Sequence, residues 1–307
     1  VRIAAPAAVL VLLTTVVTAC APVSSSEDGD PDRSTGRDVT VISDVDFGGP
    51  EEIRLDVCQP ADPTDESGGS AGPPDLAPAV IAVHGGGWRG GDKAGPQWRD
   101  TCEWLASEGF VVFEVNYRLA PEHPFPAAMD DVSRAVEWIR SDADVERFGH
   151  DRERIGAFGD SAGGNLVSLL ATRGKGPTST GTRVSAVVSL SAPLDLTLDG
   201  TTLGRLGSDF QRVQLDYLGC ASYDDCDAAR DASPPYHVDP SDPPFFLVHS
   251  TDEFIPIEQA EDFVGRLEAA SVAVTYVRVE GTGHALDVLD AALRARIAAW
   301  LHDALGA

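Results

Sequence analysis

Apolar residues come along this chain in short continuous runs, separated by longer stretches in which they recur every three or four positions. The runs 79–83, 110–115, 154–158, 184–190, 245–249 and 272–279 read as strands, and their near-unbroken apolar character is that of strands covered on both faces. Segments 96–108, 126–140, 162–172, 256–270 and 286–305 have helical spacing. In 126–140, for example, Met129, Val132, Val136 and Ile139 fall on one face. Upstream, 38–45 and 52–58 alternate with period two, and Phe47-Gly48-Gly49-Pro50 joins them as a hairpin turn. Eight strands alternating with helices predict an α/β fold with a mostly parallel sheet, helices on both faces and an antiparallel start. The alternation breaks after the sixth strand, where about fifty residues (195–243) stand in place of a short crossover. An insertion of that length leaving the carboxyl edge of the sheet is expected to form a cap, with Val213, Leu215, Tyr217 and Leu218 in a short helix or turn.

The two ends of the pattern differ. Residues 1–19 carry one charge, Arg2, ahead of an apolar stretch too short for a transmembrane helix, as in a signal peptide. Val17-Thr18-Ala19-Cys20 is similar to a bacterial lipobox, which makes Cys20 the expected lipidation site. Residues 20–38, rich in Ser, Asp, Gly and Pro, read as a flexible tether. One α/β domain, 39–307, follows, with a Pro/Gly-rich surface loop at 60–78. The protein is therefore expected to be exported, as a cell-surface lipoprotein of a bacterium or otherwise secreted. With a formal charge of -26 over 307 residues, neither nucleic acid nor an anionic membrane surface suits it as a partner, so membrane contact is expected only through the N-terminal lipid. Four cysteines remain, an even number in an exported chain, and three pairings are possible. Cys220 with Cys226 is the local choice, and Cys58 with Cys102 would then tie a strand to a helix. Neither their spacing nor any histidine cluster suits a metal.

Candidate chemistry centres on Gly159-Asp160-Ser161-Ala162-Gly163, between a strand and a helix. Gly-x-Ser-x-Gly in that setting is the sequence form of a nucleophile elbow, a sharp turn that holds the serine hydroxyl at the sheet edge. His84-Gly85-Gly86-Gly87-Trp88 follows an earlier strand. Asp252 and His284 each follow a later one, and Ser, Asp, His is the order of the α/β-hydrolase triad. A serine hydroxyl needs a base within reach, and His284, after Gly281-Thr282-Gly283, is the best placed. His84 is expected to brace the glycine loop instead. The carboxylate that orients the base is expected to be Asp252, with Glu253 pointing elsewhere and Asp195 the rival. Backbone N–H groups of Gly86, Gly87 and Ala162 are the candidate oxyanion donors. Trp88 is a candidate pocket wall. No metal or organic cofactor is implied.

These motifs, with Asn116-Tyr117-Arg118-Leu119-Ala120-Pro121-Glu122, Phe125-Pro126-Ala127-Ala128 and Asp130, resemble the hormone-sensitive-lipase-like (BD-FAE-like) carboxylesterases of the α/β-hydrolase superfamily. The likeness runs from about Ile53 to the C-terminus. It implies a serine carboxylesterase acting on short-to-medium acyl esters through an acyl-enzyme, with a structural Tyr117-Arg118 pair. Ala285 stands where the family often has Gly. The pre-strand segment is also short where many members carry a helical cap, so the cap is expected to come from 195–243 and to leave the site more open. Two other readings remain: an arylformamidase or amide hydrolase on the same triad, and a catalytically silent surface-tethered binding protein.

Overall fold

The computed structural model describes residues 1, 37–50, 52–61 and 76–306. The chain separates into Val1–Thr35 and Gly36–Ala307, and only the second unit is treated below. The expected signal segment, the lipidation at Cys20, the tether up to residue 36 and most of the 60–78 loop lie outside the described residues. Among the described residues no helix is long and apolar enough to cross a membrane.

In chain order the strands are β1 (Val39–Val45), β2 (Leu55–Pro60), β3 (Ala77–Val83), β4 (Val111–Val115), β5 (His150–Asp160), β6 (Ala186–Leu190), β7 (Phe245–Ser250) and β8 (Val274–Val279). The helices are α1 (Pro96–Ser107), α2 (Ala127–Ile139), α3 (Asp142–Phe148), α4 (Ser161–Thr172), α5 (Leu198–Thr202), α6 (Ser208–Leu218), α7 (Asp227–Asp231), α8 (Glu258–Ala269) and α9 (Ala291–Leu305). The strands form one eight-stranded sheet in the order β1-β2-β4-β3-β5-β6-β7-β8. β1 and β2 pair antiparallel, as do β2 and β4, and the remaining pairings are parallel. This is the α/β architecture expected, antiparallel start included.

Period-two alternation along the buried strands divides the core between the two faces. Ala79, Ile81 and Val83 of β3 join α2, α4 and α8 on one side. Val80 and Ala82 face α1 and α9 on the other. The strand order reverses between β3 and β5, because β3 leads to β4 on one flank while β5 lies on the other. Ligands of open α/β sheets bind outside the strand carboxyl ends at such a reversal. Val83 and Gly159 are paired there, so the glycine loop and the elbow leave the sheet side by side.

One helix is additional to the sequence expectation, and the largest shifts of boundary are at β5 and the final helix. Helix α3 falls in a stretch that shows no apolar period. It is capped by Ser141, whose Oγ accepts from Asp144 N, and stops at Gly149 in the left-handed region. Strand β5 starts earlier, at His150. The final helix starts later, at Ala291, with Asp290 Oδ1 accepting from Leu293 N as its cap. The preceding residues Ala285–Val288 form a 3-10 turn.

The insertion between β6 and β7 folds as α5, α6, α7 and short 3-10 turns at Tyr223–Asp225 and Pro234–Tyr236. Helix α6 contains the residues expected in a cap helix. Gln259 of α8 ties the entry to this segment to the domain. Its Oε1 accepts from Leu194 N (3.0 Å) and Asp195 N (2.8 Å), and its Nε2 donates to Gly200 O (2.8 Å). Both disulfides form as Cys58–Cys102, tying β2 to α1, and Cys220–Cys226, closing a short loop just after α6.

Glu114 stands out within the sheet. It lies on central strand β4, fully buried, opposite Asp56 of β2. Asp56 is held by Lys93 (2.6 Å) and Arg99, whereas neither oxygen of Glu114 has a hydrogen-bond partner among the described residues. Burial pushes its carboxyl up to about 9, so it is protonated at neutral pH. A carboxyl raised in the folded state adds stability that is full below its unfolded value and lost as pH rises through the folded one. Wild-type stability should therefore decline between about pH 5 and 9, by about 1.4 kcal/mol per pH unit at most from this group. Glu114→Gln should flatten that decline and raise Tm at pH 8 more than at pH 5 in thermal melts. An equal shift at both pH values would refute it.

Candidate active site

The turn from β5 into α4 is built from small residues because the chain runs against the end of β3. A Cβ on Gly163 would lie 1.9 Å from Val83 O, and one on Gly159 would lie 2.5 Å from Gly163 O. Between them Ser161 takes φ 48, a left-handed conformation rare for a residue with a side chain. That strain is characteristic of a nucleophile elbow. Ser161 opens α4, so the N–H groups of the first helical turn, Ala162 included, gather beside its hydroxyl.

The glycine loop is clamped from below. The Tyr117 hydroxyl donates to His84 O (2.8 Å), and the two rings stack at 4.4 Å. His84 Nδ1 is 2.7 Å from Gly85 O, which can only accept, so this nitrogen carries the proton. Burial lowers the imidazole pKa and keeps it neutral. His84 thus braces the loop. Gly86 has φ 112, and a Cβ there would meet Gly90 O at 2.3 Å, so only glycine fits. Arg118 braces the next segment by a two-pronged contact with buried Asp131, Nε to Oδ2 at 2.8 Å and Nη2 to Oδ1 at 2.9 Å. Trp88 needs correcting. It is fully buried and stacked on Tyr217 of α6 at 4.2 Å, so it anchors the cap to the glycine loop and does not line the pocket.

His284 follows β8 on a loop held at two points. Ser191 Oγ accepts from Ala285 N (2.9 Å), and Ser250 Oγ donates to Gly283 O. The carboxylate at His284 Nδ1 is not Asp252 but Glu253, through Oε2. The Glu253 side chain is fully buried. Asp252, exposed at the turn, meets Thr251 Oγ1 (3.3 Å), and its own N–H donates to Gly281 O (2.9 Å). The reason lies in reach. The chain turns directly after β7, which aims the shorter Asp252 side chain at solvent, while the extra methylene of Glu253 lets its carboxylate come back over the strand end. Asp195, the rival, is occupied within the cap by Thr197 Oγ1 (2.6 Å) and Tyr236 Oη (3.1 Å).

Ser161, His284, Gly86 and Gly87 line one pocket of about 460 Å³, together with Asp160, Gln97, Phe210, Phe254 and Asp287. Phe254 lies against the His284 ring at 4.3 Å and meets Phe210 of the cap edge-on at 5.5 Å. The same two phenylalanines line a second hollow of about 700 Å³ along α6. Burial pushes the Asp160 carboxyl up to about 6, with His284 acting against the rise. Among the described residues no group of three or more His, Cys, Asp or Glu side chains is placed to hold a metal. Sequence reasoning set Glu253 aside in favour of its neighbour and missed Ser191, Ser250, Phe210 and Phe254. Ser191, Ser250 and Glu253 had a signal in their place at a strand's carboxyl end; the two phenylalanines had none.

The sheet order, the strained serine between β5 and α4, and the buried carboxylate behind a histidine loop define the α/β-hydrolase class. The BD-FAE family model matches residues 71–267, and the chain belongs to that family. The chain is similar to Esterase LipC of Mycobacterium tuberculosis, with 37% identity over 229 residues, 72% of this chain and 56% of that protein. It is also similar to the probable carboxylic ester hydrolase LipM of the same organism, at 32% over 243 residues, 73% of this chain and 54% of the relative. It thus spans little more than half the length of these relatives. Among solved structures, an esterase of Pyrobaculum calidifontis aligns with TM-score 0.67 and 28% identity, over 87% of this chain and 85% of the other.

Proposed function

We propose that the protein is a serine carboxylesterase that hydrolyses short-to-medium acyl esters through an acyl-enzyme. One observation carries this reading: His284, with Nδ1 on a buried carboxylate, opens onto the same pocket as Ser161 and the glycine loop. The names of the similar proteins, esterases and ester hydrolases, support it. With Nδ1–H donating to Glu253, Nε2 is the basic nitrogen. It takes the Ser161 proton as Oγ attacks the ester carbonyl, and Gly86, Gly87 and Ala162 N–H groups hold the oxyanion. The proton passes to the departing alcohol. Water, activated by the same nitrogen, then cleaves the acyl-serine and restores the hydroxyl. No hydrogen bond joins Ser161 to His284 among the described residues; such contacts often tighten only when substrate is bound. The short-to-medium preference rests on the size of the serine pocket and on a cap drawn mainly from 195–243.

A fluorophosphonate probe should add its mass to the peptide containing Ser161, and Ser161→Ala should remove both the adduct and turnover. Across a chain-length series of nitrophenyl esters, kcat/KM should peak at short-to-medium acyl groups. Faster turnover of N-formyl aromatic amides would favour the amide reading. An unlabelled wild-type serine would point to a silent binding protein.

A further inference from the structure

Behind the Glu253 carboxylate stands a second imidazole. His249, at the end of β7, is 1% exposed. Its Nε2 is 3.3 Å from Glu253 Oε1, the oxygen turned away from His284, and 2.9 Å from Ile255 O. A carbonyl oxygen only accepts, so Nε2 carries the hydrogen and donates it to Ile255 O, with Glu253 Oε1 lying beside that N–H at 3.3 Å. Among the described residues, Oε1 accepts a hydrogen bond from Ser250 N at 3.3 Å. We propose that His249 is a positioning residue for the triad acid, fixing the Glu253 side chain so that Oε2 stays on His284 Nδ1. The proposal rests on the reading of Ser161, His284 and Glu253 as a catalytic triad.

The chemistry explains why such a support is present here. A glutamate has one more rotatable bond than an aspartate, so holding its carboxylate in one place takes a further restraint. The Ser250 N–H on Oε1 and the His249 N–H edge beside it supply that restraint. Both come from the residues leading into the turn, so they also hold the turn against the strand end. The Ile255 contact closes that turn from its other side. The titratable groups facing His249 are Glu253, His284 and Glu258. Burial outweighs the attraction of the two carboxylates and keeps this imidazole pKa below its usual value. His249 is therefore a neutral ring with its hydrogen on Nε2.

The test is a double-mutant cycle on the full chain. Fluorophosphonate labelling of wild type and its loss in Ser161→Ala come first; failure there sinks the triad reading and this proposal with it, whereas failure of the His249 variants below sinks the proposal alone. His249→Ala should lower kcat by about ten- to a hundredfold with KM within about twofold, the cost of a misplaced catalytic group. His249→Gln, whose amide N–H can reach the same acceptors, should restore most of it. In a Glu253→Gln background His249→Ala should cost less than about threefold, because it acts through that carboxylate. A full, additive loss in that background, or no rescue by Gln, would overturn the proposal. Should His249→Ala fail to fold, imidazole nitrogen NMR of wild type supplies the outcome. A neutral His249 protonated on Nε2, with that resonance moving in Glu253→Gln, supports the proposal; protonation on Nδ1 refutes it.

Discussion

Glu253→Gln is expected to lower kcat by about 10⁴-fold on a nitrophenyl ester, with KM little changed, while Asp252→Asn lowers it less than about threefold. The first magnitude is that of losing the acid that fixes the tautomer of a catalytic histidine. Glutamine keeps the shape and burial of Glu253 but carries no charge. It can turn an N–H toward His284 Nδ1, which moves the ring proton to Nε2 and removes the base facing Ser161. Even with its oxygen turned inward, it gives the imidazolium no opposing charge at the fully buried position of the Glu253 side chain. Asp252 is exposed, and among the described residues its carboxylate hydrogen-bonds only with Thr251 Oγ1, so replacing it removes no side-chain hydrogen bond to the histidine loop. Steady-state kinetics on both variants, normalised to circular dichroism, decide the matter. A large loss in Asp252→Asn with an active Glu253→Gln would return the role to Asp252.

Gly163→Ala is expected to destabilise the fold by more than about 4 kcal/mol, enough to leave little soluble protein. The added methyl would sit 1.9 Å from Val83 O and 2.6 Å from His84 O, both backbone atoms at the end of a central strand. No side-chain rotation relieves such a clash, so either the elbow lifts off β3 or the sheet opens. Gly265 gives the contrast. It is an exposed residue of α8 with nothing within 4 Å of a built Cβ. Gly265→Ala should gain about 0.5–1 kcal/mol from helix propensity alone. Urea unfolding of the two variants beside wild type tests the pair. A Gly163→Ala variant within 1 kcal/mol of wild type would mean that the elbow is looser than drawn.

How far the site could be read beforehand follows from where each decision is made. Ser161 and the glycine loop are set by contiguous motifs between strand and helix, because sharp turns against a sheet demand small residues in fixed order. The layering of the sheet was equally open to reading, since unbroken apolar runs such as 79–83 leave little choice but burial on both faces. The acid could not be read in the same way. Asp252 and Glu253 are adjacent carboxylates at the same strand end, and which one reaches His284 depends on how the turn to Ile255 closes. Trp88 failed for a related reason. An aromatic residue after three glycines looks the same whether it faces substrate or core, and Tyr217, far along the chain, settles the matter. Helix α3 was overlooked although its cap, Ser141 with Asp144, and its stop, Gly149, were in plain view. Its seven residues are too few to show a period.

The attachment of the α5–α7 segment has a consequence for how such enzymes diversify. That segment rests on the body through the Trp88–Tyr217 stack and the four-way amide of Gln259. The side chains of the proposed triad, Ser161, Glu253 and His284, follow instead from the ends of β5, β7 and β8. Under the proposed function, changes in this roof would alter the acyl and alcohol groups admitted while leaving the side chains of Ser161, Glu253 and His284 on their strands, provided the Trp88–Tyr217 stack that steadies the glycine loop is kept.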